Sequence, residues 1–282
     1  MEEADTLMVY LLTGGTGSFG HRFTERALKE RDLRKLIILS RDEFKLYKMR
    51  QEFPDPRMRF FIGDVRDLAR LKQVMEGTDI VVHAAALKHV PVAEYNPFEA
   101  VKTNVIGAMN VIEAAQDAGV RKVVALSSDK AYQPISAYGQ SKALMESLML
   151  AANHTRGANG PIFAVTRYGN VAGSAGSVIP IWRATDYPLI TDSECTRFWM
   201  TMDQAIDLVL NTVRTMKGGE LAIPTLPAYR LGDLLVAMGK NPAEQVGLNP
   251  YEKKQWQSAH NTQIFLVLLS EINQSYGQPH YI

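Results

Sequence analysis

The chain has 282 residues, 46% of them hydrophobic and 22% charged, with a formal net charge of +1. This length holds one large or two small domains with ample core, and the near-neutral balance gives nucleic acid or an anionic membrane nothing to bind by charge. Cys195 is the only cysteine. It cannot form an intrachain disulfide, and such usage fits a reducing cytoplasm. The first five residues are acidic where a secretory signal is basic, and the apolar run 264–269 is too short to span a bilayer. No metal site is expected, because His83 and His89 lack carboxylate or cysteine partners at ligand spacing.

The first two thirds alternate apolar runs with amphipathic ones. Residues 7–12, 36–39, 59–62, 80–83, 123–126 and 162–166 read as buried strands. Residues 21–30, 67–75, 98–118 and 137–153 read as helices. Strand and helix in regular order imply an α/β, Rossmann-type doubly wound parallel sheet. The domain expected over 1–170 binds the cofactor and carries the catalytic residues. A smaller C-terminal lobe over 171–282 takes substrate, with late strands free to return to the first sheet. In that lobe, 173–177 reads as a flexible loop entering a helix over 178–184. A short strand over 188–191 and helices over 203–216 and 230–238 follow. A helix over 261–273 and a frayed end over 276–282 complete the expectation.

The first strand runs into Thr13, Gly14, Gly15, Thr16, Gly17, Ser18, Phe19 and Gly20. Glycines at this spacing permit a tight turn and let a pyrophosphate approach the backbone. The following helix N-terminus supplies N–H donors and a positive dipole end. The strand-turn-helix context makes a dinucleotide site the expected reading. The second strand ends at Ser40-Arg41-Asp42. An acidic residue here holds the ribose hydroxyl of NAD, and an arginine favours the 2′-phosphate of NADP. Arg41, helped by Ser40 and Lys45, tilts the expectation to NADP, while Asp42 keeps NAD possible. Asp64 and Val65 follow the third strand, placed for the adenine. Asp67 reads as the cap of the next helix. Small residues Ala84, Ala85 and Ala86 follow the fourth strand and let backbone lie close to the cofactor. His83 reads as a strand-end packing residue.

The chemistry is concentrated at Ser128-Asp129-Lys130 and Tyr138-Gly139-Gln140-Ser141-Lys142. Residues four apart on a helix share a face, so Tyr138 and Lys142 stand together. An ammonium stabilises phenolate and draws the tyrosine towards working pH. Such a tyrosine can take the proton of a sugar hydroxyl while hydride leaves the same carbon. Asp129 and Lys130 add an acid and a second base. Alcohol oxidation alone does not need them; a dehydration does. Arg197 suits a diphosphate, because guanidinium binds phosphate oxygens bidentately. Ser177 and Val178 open a helix whose N-terminus could face the nucleotide.

These motifs resemble an extended short-chain dehydrogenase/reductase. The segments 84–90 (AAALKHV), 102–105, 128–131, 167–171, 176–180 and 196–200 resemble, more narrowly, the inverting UDP-N-acetylglucosamine 4,6-dehydratases of bacterial polysaccharide biosynthesis. The likeness runs from about residue 7 to 240. It implies that Tyr138 takes the O4 proton, Lys142 lowers its pKa and holds the nicotinamide ribose, Lys130 removes the C5 proton and Asp129 protonates the departing 6-hydroxyl. It implies that Asn104, Tyr138, Lys142 and Lys88 contact the cofactor, and that Lys88, Asp129, Lys130, Tyr168, Asn170 and Arg197 contact the substrate, a UDP-sugar. A cytoplasmic homo-oligomer is implied as well. Two alternatives stay open: another NAD(P)-dependent UDP-sugar epimerase or reductase, which needs no Asp129-Lys130 pair, and a non-catalytic NAD(P)-binding regulator. The segment 249–253 matches the family only loosely.

Overall fold

The computed structural model describes residues 7–240 and 244–255. The expected helix over 261–273 and the end over 276–282 lie outside the described residues. Seven strands form one parallel sheet: β1 (Met8–Thr13), β2 (Leu33–Ser40), β3 (Met58–Ile62), β4 (Ile80–His83), β5 (Lys122–Ser128), β6 (Ile162–Tyr168) and β9 (Leu221–Ala222). Their order is β3-β2-β1-β4-β5-β6-β9. All six contacts between them are parallel, for example Leu11 with Ile37 and Val81. This is the Rossmann-type arrangement read from the sequence.

Both faces of the sheet are covered, which is why its strands are continuous apolar runs. Successive side chains point to opposite faces. Leu12, Ile38, Val82 and Val124 enter one core, and Leu11, Ile37, Val81 and Val123 enter the other. Helix α1 (Ser18–Ala27) and helix α2 (Glu43–Glu52) supply Phe23, Leu46 and Met49 to the first core. Helix α3 (Leu68–Met75), helix α6 (Gly107–Asp117) and helix α7 (Ala137–Thr155) supply Leu71, Val111 and Met145 to the second.

The expected helix over 98–118 is helical throughout, as helix α5 (Pro97–Ala100), a π-helical turn over Val101–Ile106 and helix α6; the short helix α4 (Val90–Tyr95) precedes it. Helix α2 was not expected. Its Phe44 and Tyr47 are exposed while Leu46 and Met49 are buried, so it presents no clean apolar stripe.

Beyond residue 170 the chain divides. Helix α8 (Val178–Arg183), strands β7 (Leu189–Ile190), β8 (Thr196–Phe198), β10 (Ala228–Arg230) and β11 (Glu244–Gln245), and helix α10 (Leu231–Ala237) build the lobe. Its core holds Ile179, Trp182, Cys195, Trp199, Tyr229 and Leu234. Helix α9 (Met202–Thr215) instead packs on α1, and its Ile206, Val209 and Leu210 join the first sheet core. Strand β9 pairs with β6 at the sheet edge. No helix among the described residues is long and apolar enough to cross a membrane.

Candidate active site

In an open parallel sheet, ligands bind beyond the carboxyl ends of the strands, where the strand order reverses. Here that place lies between β1 and β4. The turn after β1 and the Ala84–Ala86 segment after β4 therefore face each other. Gly14 has φ of 67°, and a Cβ there would lie 2.7 Å from the Ala85 Cα, so only glycine fits. A Cβ on Gly20 would lie 1.9 Å from the Gly15 carbonyl oxygen, so α1 packs directly on the turn. A Cβ on Gly17 would meet nothing nearer than 3.6 Å. That open face at the start of a ten-residue helix is a cradle for a pyrophosphate. The chain thus fits a nicotinamide dinucleotide.

Thr13 shares a 2.8 Å hydrogen bond with His83 Nδ1 and accepts from the Ala85 N–H at 3.3 Å. Burial, and then the charge of Lys142, push the His83 imidazole down to about 3. It is a neutral packing residue, as expected. Thr16 and Ser40 join hydroxyls at 2.8 Å across the β1 and β2 ends. Phe19 stacks on Phe23 at 5.8 Å, so its ring serves the core.

Asp42 caps α2, accepting from the Lys45 N–H at 3.0 Å, and the Lys45 ammonium lies 3.3 Å from the same carboxylate. That orientation takes Asp42 to the helix end. Arg41 is 58% exposed, with its guanidinium 4.0 Å from Asp64. Both Asp64 oxygens bind Arg66, at 2.7–3.0 Å. Burial raises the Asp64 pKa, but Arg66 outweighs it and holds the carboxyl below its usual range. Val65 is buried against Gly107. Asp67 caps α3 by accepting from the Arg70 N–H at 3.0 Å.

Asn104 sits in the π-turn, a distortion that often marks functional sites. It accepts from the Leu87 N–H at 2.8 Å. It donates to the Leu87 carbonyl at 3.0 Å and to the Ser141 hydroxyl at 2.9 Å. It therefore pins the segment after β4 to the first turn of α7. Helix α7 carries both Tyr138 and Lys142. Ser136 caps it, accepting from the Gly139 N–H at 3.0 Å. A Cβ on Gly139 would lie 2.4 Å from the Lys130 carbonyl oxygen. Glycine here lets α7 lie against the 3₁₀ turn Asp129–Ala131, and so brings Tyr138 to Asp129 and Lys130.

Asp129 is fully buried. Its Oδ1 accepts from Ser128 at 2.8 Å and from the Lys130 ammonium at 3.0 Å. Its Oδ2 is buried without a hydrogen-bond partner among the described residues. The Lys130 ammonium also reaches Asn170 Oδ1 at 3.2 Å. Tyr168 stands opposite Ser128 in the sheet register and is buried. Burial, then neighbouring Tyr138, raise its pKa. Gln133, beyond the turn, is held at φ of 44°, an uncommon value for a residue with a side chain.

Lys142 is buried and donates to the Leu126 carbonyl at 2.6 Å. Burial pushes its ammonium down to about 8, against an opposing pull from Glu146. Tyr138 differs from expectation. Burial raises its pKa, Ser128 lowers it through a hydrogen bond, and Asp129 and Glu146 raise it further. The Lys142 ammonium is turned to the Leu126 carbonyl, so it does not offset that rise in this arrangement.

The loop 173–177 covers the cofactor turn. The Ala175 N–H donates to Ser18 at 3.0 Å, and Lys88 donates to the Ala175 carbonyl at 2.8 Å. Burial lowers the Lys88 pKa. The Ser177 hydroxyl is buried without a hydrogen-bond partner among the described residues, while Val178 packs on the lobe core. Arg197 is buried and paired with Glu252, with a further bond to the Lys253 carbonyl at 3.2 Å. A diphosphate at Arg197 must share it with Glu252.

Three residues escaped sequence reasoning. Glu146 lies four residues beyond Lys142 and binds Arg167 at 2.9 Å in a buried pair. A charge on the buried face of α7 was the available signal. Glu252 and Lys253 lie in the segment 249–253, whose loose match to the family assigned them no role.

Known proteins resemble this chain over most of its length. An inverting UDP-N-acetylglucosamine 4,6-dehydratase of Campylobacter jejuni is 46% identical over 250 residues, covering 86% of this chain and 75% of that protein. A UDP-glucose 4-epimerase of Rickettsia felis is 42% identical over 255 residues, covering 86% and 75%. The dTDP-glucose 4,6-dehydratase DesIV of Streptomyces venezuelae, solved with NAD bound, superposes with a TM-score of 0.76 at 23% identity, covering 98% of this chain and 93% of its own. The last likeness shows the fold. A family model described as polysaccharide biosynthesis protein matches residues 10–257, and with the Campylobacter likeness it shows that the chain belongs to that family.

Proposed function

We propose that the chain dehydrates UDP-N-acetylglucosamine across C5 and C6, with inversion at C5, using NADP. One observation carries this reading: Asp129 and Lys130 form a buried ion pair packed against the turn of α7 that carries Tyr138. A redox-only enzyme has no use for a second acid and base at that place. The nicotinamide, when bound, accepts hydride from C4 and returns it at C6. Tyr138 takes the O4 proton as the C4 ketone forms. With the proton of the Asp129–Lys130 pair moved onto the carboxyl, the Lys130 amine removes the C5 proton, which that ketone acidifies. Asp129, through its unpartnered Oδ2, gives a proton to the 6-hydroxyl, which leaves as water. A solvent proton adds to C5 from the opposite face and completes the inversion, and Tyr138 returns its proton to solvent. The cofactor ends each cycle as it began.

The choice of NADP rests on Arg41, exposed at the β2 tip, and on Asp42, committed to capping α2. Lys142 would hold the nicotinamide ribose. Lys88, Asn170 and Ser177 line the substrate side, and Arg197 takes the diphosphate. A homo-oligomer fits the exposure of Tyr95, Phe98, Val101, Met109 and Leu144 on the mutually packed helices α4 to α7 and the π-turn between them. The cytoplasm is the matching compartment.

The Rickettsia relative favours a second reading, 4-epimerisation, which uses Tyr138 and Lys142 alone. Replacing Asp129 by Asn separates the two. A dehydratase so altered still oxidises C4 but stalls before water leaves, so the near-ultraviolet absorbance of reduced nicotinamide accumulates on adding substrate. An epimerase keeps turning over without such a build-up, and that outcome would sink the dehydratase reading.

A further inference from the structure

The loop 173–177 is fastened to both walls of the crevice that a dinucleotide enters. One wall is the turn after β1 with the start of α1. There the Ala175 N–H donates to the Ser18 hydroxyl at 3.0 Å. The other wall is the segment after β4, which Asn104 holds through both backbone groups of Leu87. There the Lys88 ammonium donates to the Ala175 carbonyl at 2.8 Å. His89, the next residue, lays its ring on Gly176. A Cβ on Gly176 would lie 2.1 Å from His89 Cε1, and Gly176 has φ of 72°. A side chain there would meet both the ring and a strained backbone, so glycine is what lets the loop lie this low.

The ends of the loop are anchored elsewhere. The Ala172 N–H donates to the Met200 carbonyl at 2.8 Å, and Ile179 is buried in the lobe core. Ala175, midway, commits its N–H to one wall and its carbonyl to the other. Two modest hydrogen bonds and one ring contact therefore hold the loop down, and releasing them disturbs neither the sheet nor the lobe. The pyrophosphate cradle stays open beneath it, since a Cβ on Gly17 would meet only the Gly14 carbonyl oxygen, at 3.6 Å.

We propose that the loop 173–177 is a strap across the cofactor crevice, latched by Ser18, Lys88 and His89, which opens to admit the dinucleotide and then keeps it in place through successive turnovers. The proposal rests on the dinucleotide site and deepens the function proposed above. In that reaction the hydride taken from C4 goes back at C6. A reduced cofactor that left between the two steps would strand a ketone with no hydride to complete the cycle. A dehydrogenase that exchanges its cofactor at every turnover gains nothing from such a strap.

The test measures release of bound NADPH or NADH from the full chain, as the decay of its fluorescence after a chase with excess oxidised cofactor. Ser18→Cys with Ala175→Cys places two thiols where the latch hydrogen bond stands, while Cys195 stays buried. Closing that disulfide on loaded protein is expected to slow release more than about tenfold, and reduction to restore it. Gly176→Ala drives the loop off His89 and is expected to speed release about tenfold, with the overall fold kept by circular dichroism. Equal release from the oxidised and reduced double variant, or release from Gly176→Ala at the wild-type rate, overturns the proposal. Latch-dependent release without dehydration of UDP-N-acetylglucosamine sinks the function reading and leaves the strap standing. Dehydration with latch-independent release does the reverse.

Discussion

Tyr138 and Lys142 lie one helical turn apart, yet burial treats them differently. It holds the tyrosine neutral and drives the lysine towards neutrality, to about 8 from an ordinary 10.5. A charged Lys142 is the form that stabilises a Tyr138 phenolate. Activity is therefore expected to fall as pH rises through about 8, which a pH profile of kcat would show. The stability effect has the opposite sign. Between about 8 and 10.5 the unfolded lysine binds a proton that the folded one has lost, so stability contributed by this group rises with pH across that window. Tyr138→Phe removes the group that takes the O4 proton. It is expected to cost about 10²–10⁴ in kcat while leaving thermal unfolding close to wild type. At this scale the sequence was informative about identity. Asp129, Lys130, Tyr138 and Lys142 were all legible and are brought to one place. The direction of the Tyr138 shift was not legible, because it depends on where the Lys142 ammonium turns.

Helix α7 shows how an element carries the site. Its cap at Ser136, its close contact at Gly139 and its buried Glu146–Arg167 pair all set the height of Tyr138 above the turn of Asp129. Glu146→Ala leaves a guanidinium buried without its partner. Breaking a buried pair costs about 3–5 kcal/mol, and the loss is expected in chemical denaturation. The tip of β2 is a second such case. Arg41→Ala is expected to weaken NADP binding about tenfold, the loss of one charge-assisted contact, and to leave NAD binding little changed. Equal loss for both cofactors would contradict the role given to Arg41. The sheet strands were legible because both faces are buried and the runs are apolar throughout. The π-helical turn within 98–118 was not, since it carries Asn104 to Leu87 and Ser141, partners far away in sequence.

The whole molecule joins a parallel sheet to a smaller lobe with its own core. Among the links between them are the loop 173–177, tied to Ser18 and Lys88, and the segment 249–255, tied to Tyr132 and Arg197. Neither was visible as a link in the sequence, because the residues it joins are far apart and carry no shared pattern. The return of α9 and β9 to the sheet is equally a tertiary matter, since Ile206 and Val209 look the same whichever core they enter. In the function proposed above, this assembly eliminates water from a sugar without net oxidation. Incubation with UDP-N-acetylglucosamine in deuterated water, followed by proton NMR, tests it most directly. The expected result is a new 6-deoxy methyl signal, solvent deuterium at C5 and ring couplings that report inversion there. Unchanged substrate with NADP or NAD supplied, or inversion at C4 with the 6-hydroxyl retained, would contradict it.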